Sequence, residues 1–125
     1  MRLWDLQRGT LLGSSRPQQH MVRCVAAHNT TLVSAASDGR VRLWHDLDLT
    51  RRPVILPNLH GGPVSCVAID GSLLTTGSWD LTVRVWRHSG ECVRTLGCAD
   101  WVSQVLLRDG KLHVRAGACD CFFAV

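Results

Sequence analysis

The stretch LHGGPVSCVAIDGSLLTTGSWDLTVRVW, residues 59–86, sets the reading frame for the whole chain. Within it VSCVAI (64–69), LLTTG (73–77) and VRVW (83–86) are short apolar or alternating runs of strand type. Asp70-Gly71 supplies tight-turn chemistry between the first two, and Trp79-Asp80 stands before the third. Asp80 lies six residues before Trp86, and the same spacing separates Asp38 from Trp44 in SAASDGRVRLW (34–44). Trp4, Trp44 and Trp86 close the runs RLW, RVRLW and VRVW at intervals of 40 and 42 residues. Downstream, RAGACDCFFAV (115–125) repeats the frame with Asp120, which would place a tryptophan at the residue after Val125. A fixed period of this length marks a repeat architecture.

The intervening segments align as strands. VRCVA (22–26), VSCVAI and VSQVLL (102–107) form a first set, and LVSAA (32–36), LLTTG and LHVRAG (112–117) a second. The runs ending at Trp form a third, and the segments around Leu11-Leu12, PVIL (53–56) and ECVRTL (91–96) a fourth. Asp38-Gly39, Asp70-Gly71 and Asp109-Gly110 provide short connections that suit consecutive antiparallel pairing. Each repeat therefore reads as a four-stranded meander, and the chain as all-β.

Four strands per roughly 40–45 residues with a Trp-Asp signature is the pattern of a propeller blade. The chain resembles the WD-repeat family over nearly its whole length, although only RLWD at 2–5 carries the literal Trp-Asp pair. The resemblance implies a partial β-propeller. It would comprise the last two strands of one blade in 1–17, complete blades in 18–59 and 60–97, and three strands of a truncated blade in 98–125. On this reading the chain is an incomplete ring that needs further blades or another chain to close.

The resemblance also implies a structural hydrogen-bond network beside each buried Trp, since an indole N–H out of water needs an acceptor. The full set is His60, Thr76, Asp80 and Trp86. The preceding repeat supplies Ser34, Asp38 and Trp44, with Gln18 at the His position unless His20 replaces it. The last offers Asp120, with Cys98 at the His position and Ala116 at the Ser/Thr position. Thr76, His60 and Asp80 could also be read as a hydroxyl nucleophile with its base and orienter, but neither a nucleophile-elbow motif nor a Gly-rich phosphate loop accompanies them, so no catalytic residue is assigned. A metal site from Cys98, Cys119, Cys121 and His113 lacks the usual C-x2–4-C spacing, because Cys119 and Cys121 are one residue apart. No metal or other cofactor is expected. Arg2, Arg42 and Arg84, each two residues before a Trp, read as a scaffold column on a half-exposed strand.

Partner binding is expected on one face of the propeller. Trp79 before the third strand and Trp101 before a first strand fall on loops that emerge together, and Pro63 and Met21 occupy equivalent loop positions. The chain is similar in particular to F-box/WD-repeat proteins of plant and green-algal type, in GSWDLTVRVW (77–86), ECVRTL and DWV (100–102). That similarity implies substrate recognition for an SCF-type ubiquitin ligase, with Arg23 in a channel-facing slot that some members use for phosphate. Arg23 stands alone there, because Ser65 and Ser103 fill the matching slots, whereas phosphopeptide capture normally uses several arginines.

Composition fits this picture. The 125 residues are 46% apolar and 19% charged, enough to fill a core and too few for a multidomain enzyme. The net charge of +4 comes from scattered arginines, without the clustered stripe of a nucleic-acid binder; a ribonucleoprotein scaffold is the alternative class. No segment has the roughly 20 apolar residues of a membrane helix. The six cysteines read as reduced thiols, and the protein as intracellular, cytoplasmic or nuclear.

Overall fold

Turn pairs and alternating strands translate into sheets joined in sequence. The computed structural model describes residues 1–15, 21–56 and 60–124, which form thirteen strands and no helix. β1 (Arg2–Asp5) and β2 (Thr10–Ser14) make a two-stranded sheet. β3 (Val22–His28), β4 (Thr31–Ala36), β5 (Val41–Trp44) and β6 (Val54–Ile55) make the second, and β7 (Val64–Ile69), β8 (Leu73–Ser78), β9 (Thr82–Arg87) and β10 (Cys92–Gly97) the third. β11 (Val102–Arg108), β12 (Lys111–Ala116) and β13 (Cys119–Ala124) complete the set. All pairings are antiparallel between consecutive strands. The expected fold class, an all-β partial propeller built on four-stranded antiparallel sheets, is the observed one.

The sheets stack through alternate faces. Val33, Ala35, Val41 and Leu43 of the second sheet meet Leu74 and Trp86 of the third, all at most 2% exposed. The opposite face of the third sheet sets Val83 and Val85 against Val105, Leu112 and Val114. Each valine or leucine among them contributes roughly 1.5–3 kcal/mol by leaving water, so sheet-on-sheet burial is the main source of cohesion. The spacing is tight: a Cβ on Gly77 would lie 2.5 Å from Val102 Cγ1 and 2.7 Å from Cys66 Sγ.

Every first strand carries a bulge at the same place. Pairing shifts between Val22 and Cys24, between Val64 and Cys66, and between Val102 and Gln104, leaving Arg23, Ser65 and Ser103 as the extra residues. A bulge re-aims its side chain out of the ladder. Ser65 shows where it points: its hydroxyl donates to the carbonyl of Val102, on the first strand of the next sheet.

The last sheet departs from the sequence alignment. Leu32 pairs with Trp44 and Leu74 with Trp86, and the matching pair in the last sheet is Leu112 with Phe123. The β12–β13 connection has only two residues, Gly117 and Ala118, with Gly117 at φ 60°. The five-residue connection between Gly77 and Val83 is thereby shortened, and everything after it moves three places in register. Asp120, expected in the tight turn, lies instead within β13 opposite Arg115 and half exposed.

Candidate functional site

The third sheet holds a complete polar network. Trp86 Nε1–H donates to Thr76 Oγ1 at 3.0 Å, and that hydroxyl bonds His60 Nε2 at 2.7 Å. Since the Thr76 oxygen already accepts from the indole, its own proton goes to Nε2, which leaves Nδ1–H to donate to Asp80 Oδ2 at 3.1 Å. The Thr82 hydroxyl donates to Asp80 Oδ1 at 2.5 Å, and the Gly61 amide to Oδ2 at 2.9 Å. Burial lowers the His60 pKa below 6.5 against the opposing pull of Asp80, and the charge of Arg84 adds to the lowering. Burial raises the Asp80 carboxyl, but bonds from Thr82, Gly61 and His60 outweigh it and bring it down to about 2. His60 is therefore neutral, and its side chain is fully buried.

In the second sheet Trp44 Nε1–H donates to Ser34 Oγ at 3.1 Å, and Asp38 Oδ1 accepts from the Arg40 amide. Gln18 and His20, the candidates for the His position there, lie outside the described residues. The last sheet has lost the network as a set. Cys98 matches His60, since its amide bonds Leu81 O as the His60 amide bonds Gly39 O. By register Val114 matches Thr76 and Phe123 matches Trp86. Phe has no N–H to satisfy, so the loss of the hydroxyl and of the turn carboxylate leaves nothing unpaired. Ala116 and Asp120 are thus displaced from the positions expected of them. Asp120 instead accepts from Arg115 Nε at 3.0 Å and from His113 at 3.3 Å. The four residues weighed as metal ligands do not share one face: Cys119 and Cys121, both exposed, pair with Ala116 and Val114, while His113 lies on the opposite face of the sheet and stacks on Phe122.

The loop ends present a second arrangement. Backbone bonds Ser37 N to Met21 O, Trp79 N to Pro63 O and Gly117 N to Trp101 O clip the turn after each second strand to the loop before each first strand. Met21, Pro63 and Trp101 are therefore equivalent, as are Ser37, Trp79 and Gly117. Across them runs a ladder of three rungs from three sheets. The Arg23 guanidinium, aimed by its bulge, lies 4.4 Å from the Trp79 ring centroid. Trp79 stacks on Trp101 at 5.1 Å with an 18° interplanar angle. Trp79 is 37% and Trp101 58% exposed, Met21 is exposed and Pro63 half-buried. Among the described residues neither indole N–H of the ladder has an acceptor, and Arg23 has no carboxylate partner.

A model of the family described as "WD domain, G-beta repeat" matches residues 9–45 and 53–87, more than half of the chain. The chain belongs to the WD-repeat family. This WD-repeat chain is 34% identical over 130 residues to an F-box/WD-40 repeat-containing protein of Arabidopsis thaliana, covering 94% of the chain and 24% of that protein. It is 30% identical over 121 residues to the nuclear distribution protein PAC1 of Gibberella zeae, covering 84% of the chain and 26% of that protein. It thus spans about a quarter of these relatives' lengths. The computationally designed proteins Ika4 and Ika8 share its fold, with TM-scores of 0.88 and 0.86 at 23% and 24% identity. They cover 99% and 98% of the WD-repeat chain, which in turn covers 78% and 39% of theirs.

Sequence reasoning brought Trp79, Trp101, Met21 and Pro63 to one set of loops but did not place Arg23 on the Trp79 ring. The bulge that aims it has a faint signature, a polar or charged residue at the second position of VRC, VSC and VSQ, each otherwise apolar at its start. The Arg column splits: Arg2 is exposed, whereas Arg42 and Arg84 are half-buried, and Arg84 Nε is fully buried with no hydrogen-bond partner among the described residues.

Proposed function

We propose that this WD-repeat chain, in blade units 1–17, 18–59, 60–97 and 98–125, is a non-catalytic protein-interaction segment that binds its partner at the Arg23–Trp79–Trp101 ladder, with Met21 and Pro63 beside it. The observation that carries the reading is the stack itself. Two large rings held face to face keep in fixed places their exposed edges, N–H donors that meet no acceptor among the described residues, and a guanidinium stacked on Trp79, so a partner meets a surface whose ordering entropy is already spent. WD-repeat proteins generally act as protein-interaction scaffolds, and the Arabidopsis relative's F-box name supports the narrower reading of substrate recognition in an SCF-type ubiquitin ligase. The six free cysteines suit a reducing compartment.

Peptides selected against the chain from a displayed library test this. Trp79→Ala and Trp101→Ala are each expected to weaken the selected peptides at least ten-fold, about 1.4 kcal/mol, with the circular dichroism of the fold unchanged. Binding that survives both substitutions rejects the ladder. Selective capture of RNA, with affinity falling steeply as salt rises, would favour the ribonucleoprotein class instead.

A further inference from the structure

The second residue of each first strand, re-aimed by its bulge, does something different at each sheet. In the second sheet it is Arg23, which leaves for the Trp79 ring. Across that boundary the carbonyl of Val64 receives the Cys24 thiol instead, a weak donor at 3.9 Å. In the third sheet it is Ser65, half-buried, whose hydroxyl lies between two carbonyl oxygens: Gly77 O of its own sheet at 3.2 Å, and Val102 O of the last sheet. Gly77 makes the reach possible. A Cβ there would meet Val102 Cγ1 at 2.5 Å, so its absence lets the two backbones close to within one hydroxyl of each other. In the last sheet Ser103 bonds within its own sheet, to Arg115 O at 3.3 Å.

The two carbonyls that Ser65 spans belong to the segments carrying the indoles. Gly77 lies two residues before Trp79, and Val102 directly follows Trp101. Other bonds fix each indole segment within its own sheet: Trp79 N and Ser78 Oγ both donate to Pro63 O, and Gly117 N donates to Trp101 O. None of these sets the distance between the two rings, which is a distance between sheets. Apolar packing across that boundary is non-directional and tolerates sliding. A hydroxyl bonded to a carbonyl is directional, and fixes where the start of β11 sits along β8.

We propose that Ser65 is a positioning residue of the partner site: its hydroxyl locks the start of β11 against the end of β8 and thereby holds Trp101 in its stack on Trp79. This rests on the ladder as the partner site, yet concerns a side chain that need not touch the partner. The preceding boundary supplies the contrast. There Ala35 stands where Gly77 does, Ser37 and Pro63 take the places of the two indoles, and the bulge position is free to supply the cation.

Ser65→Ala removes the hydroxyl and keeps the Cβ. Stacked rings shield one another's protons, so the test reads the Trp79 and Trp101 indole resonances of the 15N-labelled chain, assigned with Trp79→Ala and Trp101→Ala. In Ser65→Ala both are expected to move toward the position of a lone exposed indole, while those of Trp44 and Trp86, bonded to Ser34 and Thr76, stay in place. Peptides selected against the chain are expected to bind roughly three- to ten-fold more weakly. Ser103→Ala, which loses a bond inside one sheet, leaves all four resonances and the affinity unchanged. Unmoved Trp79 and Trp101 signals, equal movement of all four, or the same response to Ser103→Ala overturns the proposal. So does full affinity of Ser65→Ala for peptides that Trp79→Ala weakens. Peptides indifferent to both tryptophans reject the ladder as the partner site instead, and the resonances alone then decide whether Ser65 sets the stack.

Discussion

Two neighbouring threonines show how much a single hydroxyl depends on its surroundings. Thr75 and Thr76 are both fully buried, yet Thr76 Oγ1 joins Trp86 to His60 while Thr75 Oγ1 has no partner among the described residues. Replacing each by Val keeps the shape and removes the hydroxyl. Thr76→Val is expected to cost about 2 kcal/mol, because the indole N–H and His60 Nε2 are left unsatisfied in the core. Thr75→Val is expected to be neutral or to stabilise by up to about 1 kcal/mol, because it removes an unpaired polar group. Urea denaturation of the two variants measures the opposite signs. The thiols divide in the same way. Burial, with Cys66 close by, pushes Cys24 from 9.0 up to about 12, so its thiolate fraction at pH 8 is about a thousand-fold smaller than that of an ordinary thiol. Cys119 and Cys121 are exposed, and mass spectrometry after a short iodoacetamide pulse should find them alkylated first and Cys24 last.

At the scale of strands and sheets, spacing is set where glycine stands. Gly77→Ala would drive a methyl into Val102 and Cys66, and is expected to destabilise by about 1–3 kcal/mol as the third and last sheets are forced apart. Gly39→Ala meets two obstacles, φ +84° and a Cβ 2.3 Å from the His60 carbonyl oxygen, and should cost at least as much in the same denaturation assay. The sheets themselves were legible in the sequence, because Asp-to-Trp spacing and alternation repeat together in the second and third. The last sheet was misaligned for a definite reason. Matching Asp120 to Asp80 assumed that the turn kept its length, but Gly117-Ala118 closes the hairpin in two residues. Parity held the corrective signal, since Leu112 and Val114 alternate in step with Cys121 and Phe123 only if the turn is short. The aromatic ladder was half legible: shared loops follow from the repeat, whereas the cation on the ring follows from a bulge that changes no residue type.

For the whole molecule, protons act in one direction. His60 binds a proton less readily in the fold than at its ordinary 6.5, so the unfolded chain takes up more protons as pH falls through that value, and stability declines. Asp80 adds a second loss between 3.8 and about 2, again because the unfolded carboxylate protonates first; Asp70 and Asp120 are lowered too and act in the same sense. Thermal melts at pH 7.5, 5.5 and 3 are expected to give steadily falling midpoints, with the first step reduced in His60→Gln. A midpoint that rises on acidification would contradict the neutral, Nδ1-protonated His60.

The Arg23–Trp79–Trp101 stack takes one rung from each of three successive sheets. No sheet owns it, so the surface exists only while all three are docked, and opening at either sheet boundary dismantles it. Ligand affinity and sheet docking are then one linked equilibrium: whatever binds the ladder tightens the stack by mass action, and whatever loosens a boundary weakens binding from a distance. The two indoles, 5.1 Å apart and nearly parallel, are coupled chromophores as well. Their near-ultraviolet dichroism would report that equilibrium directly, with no label added.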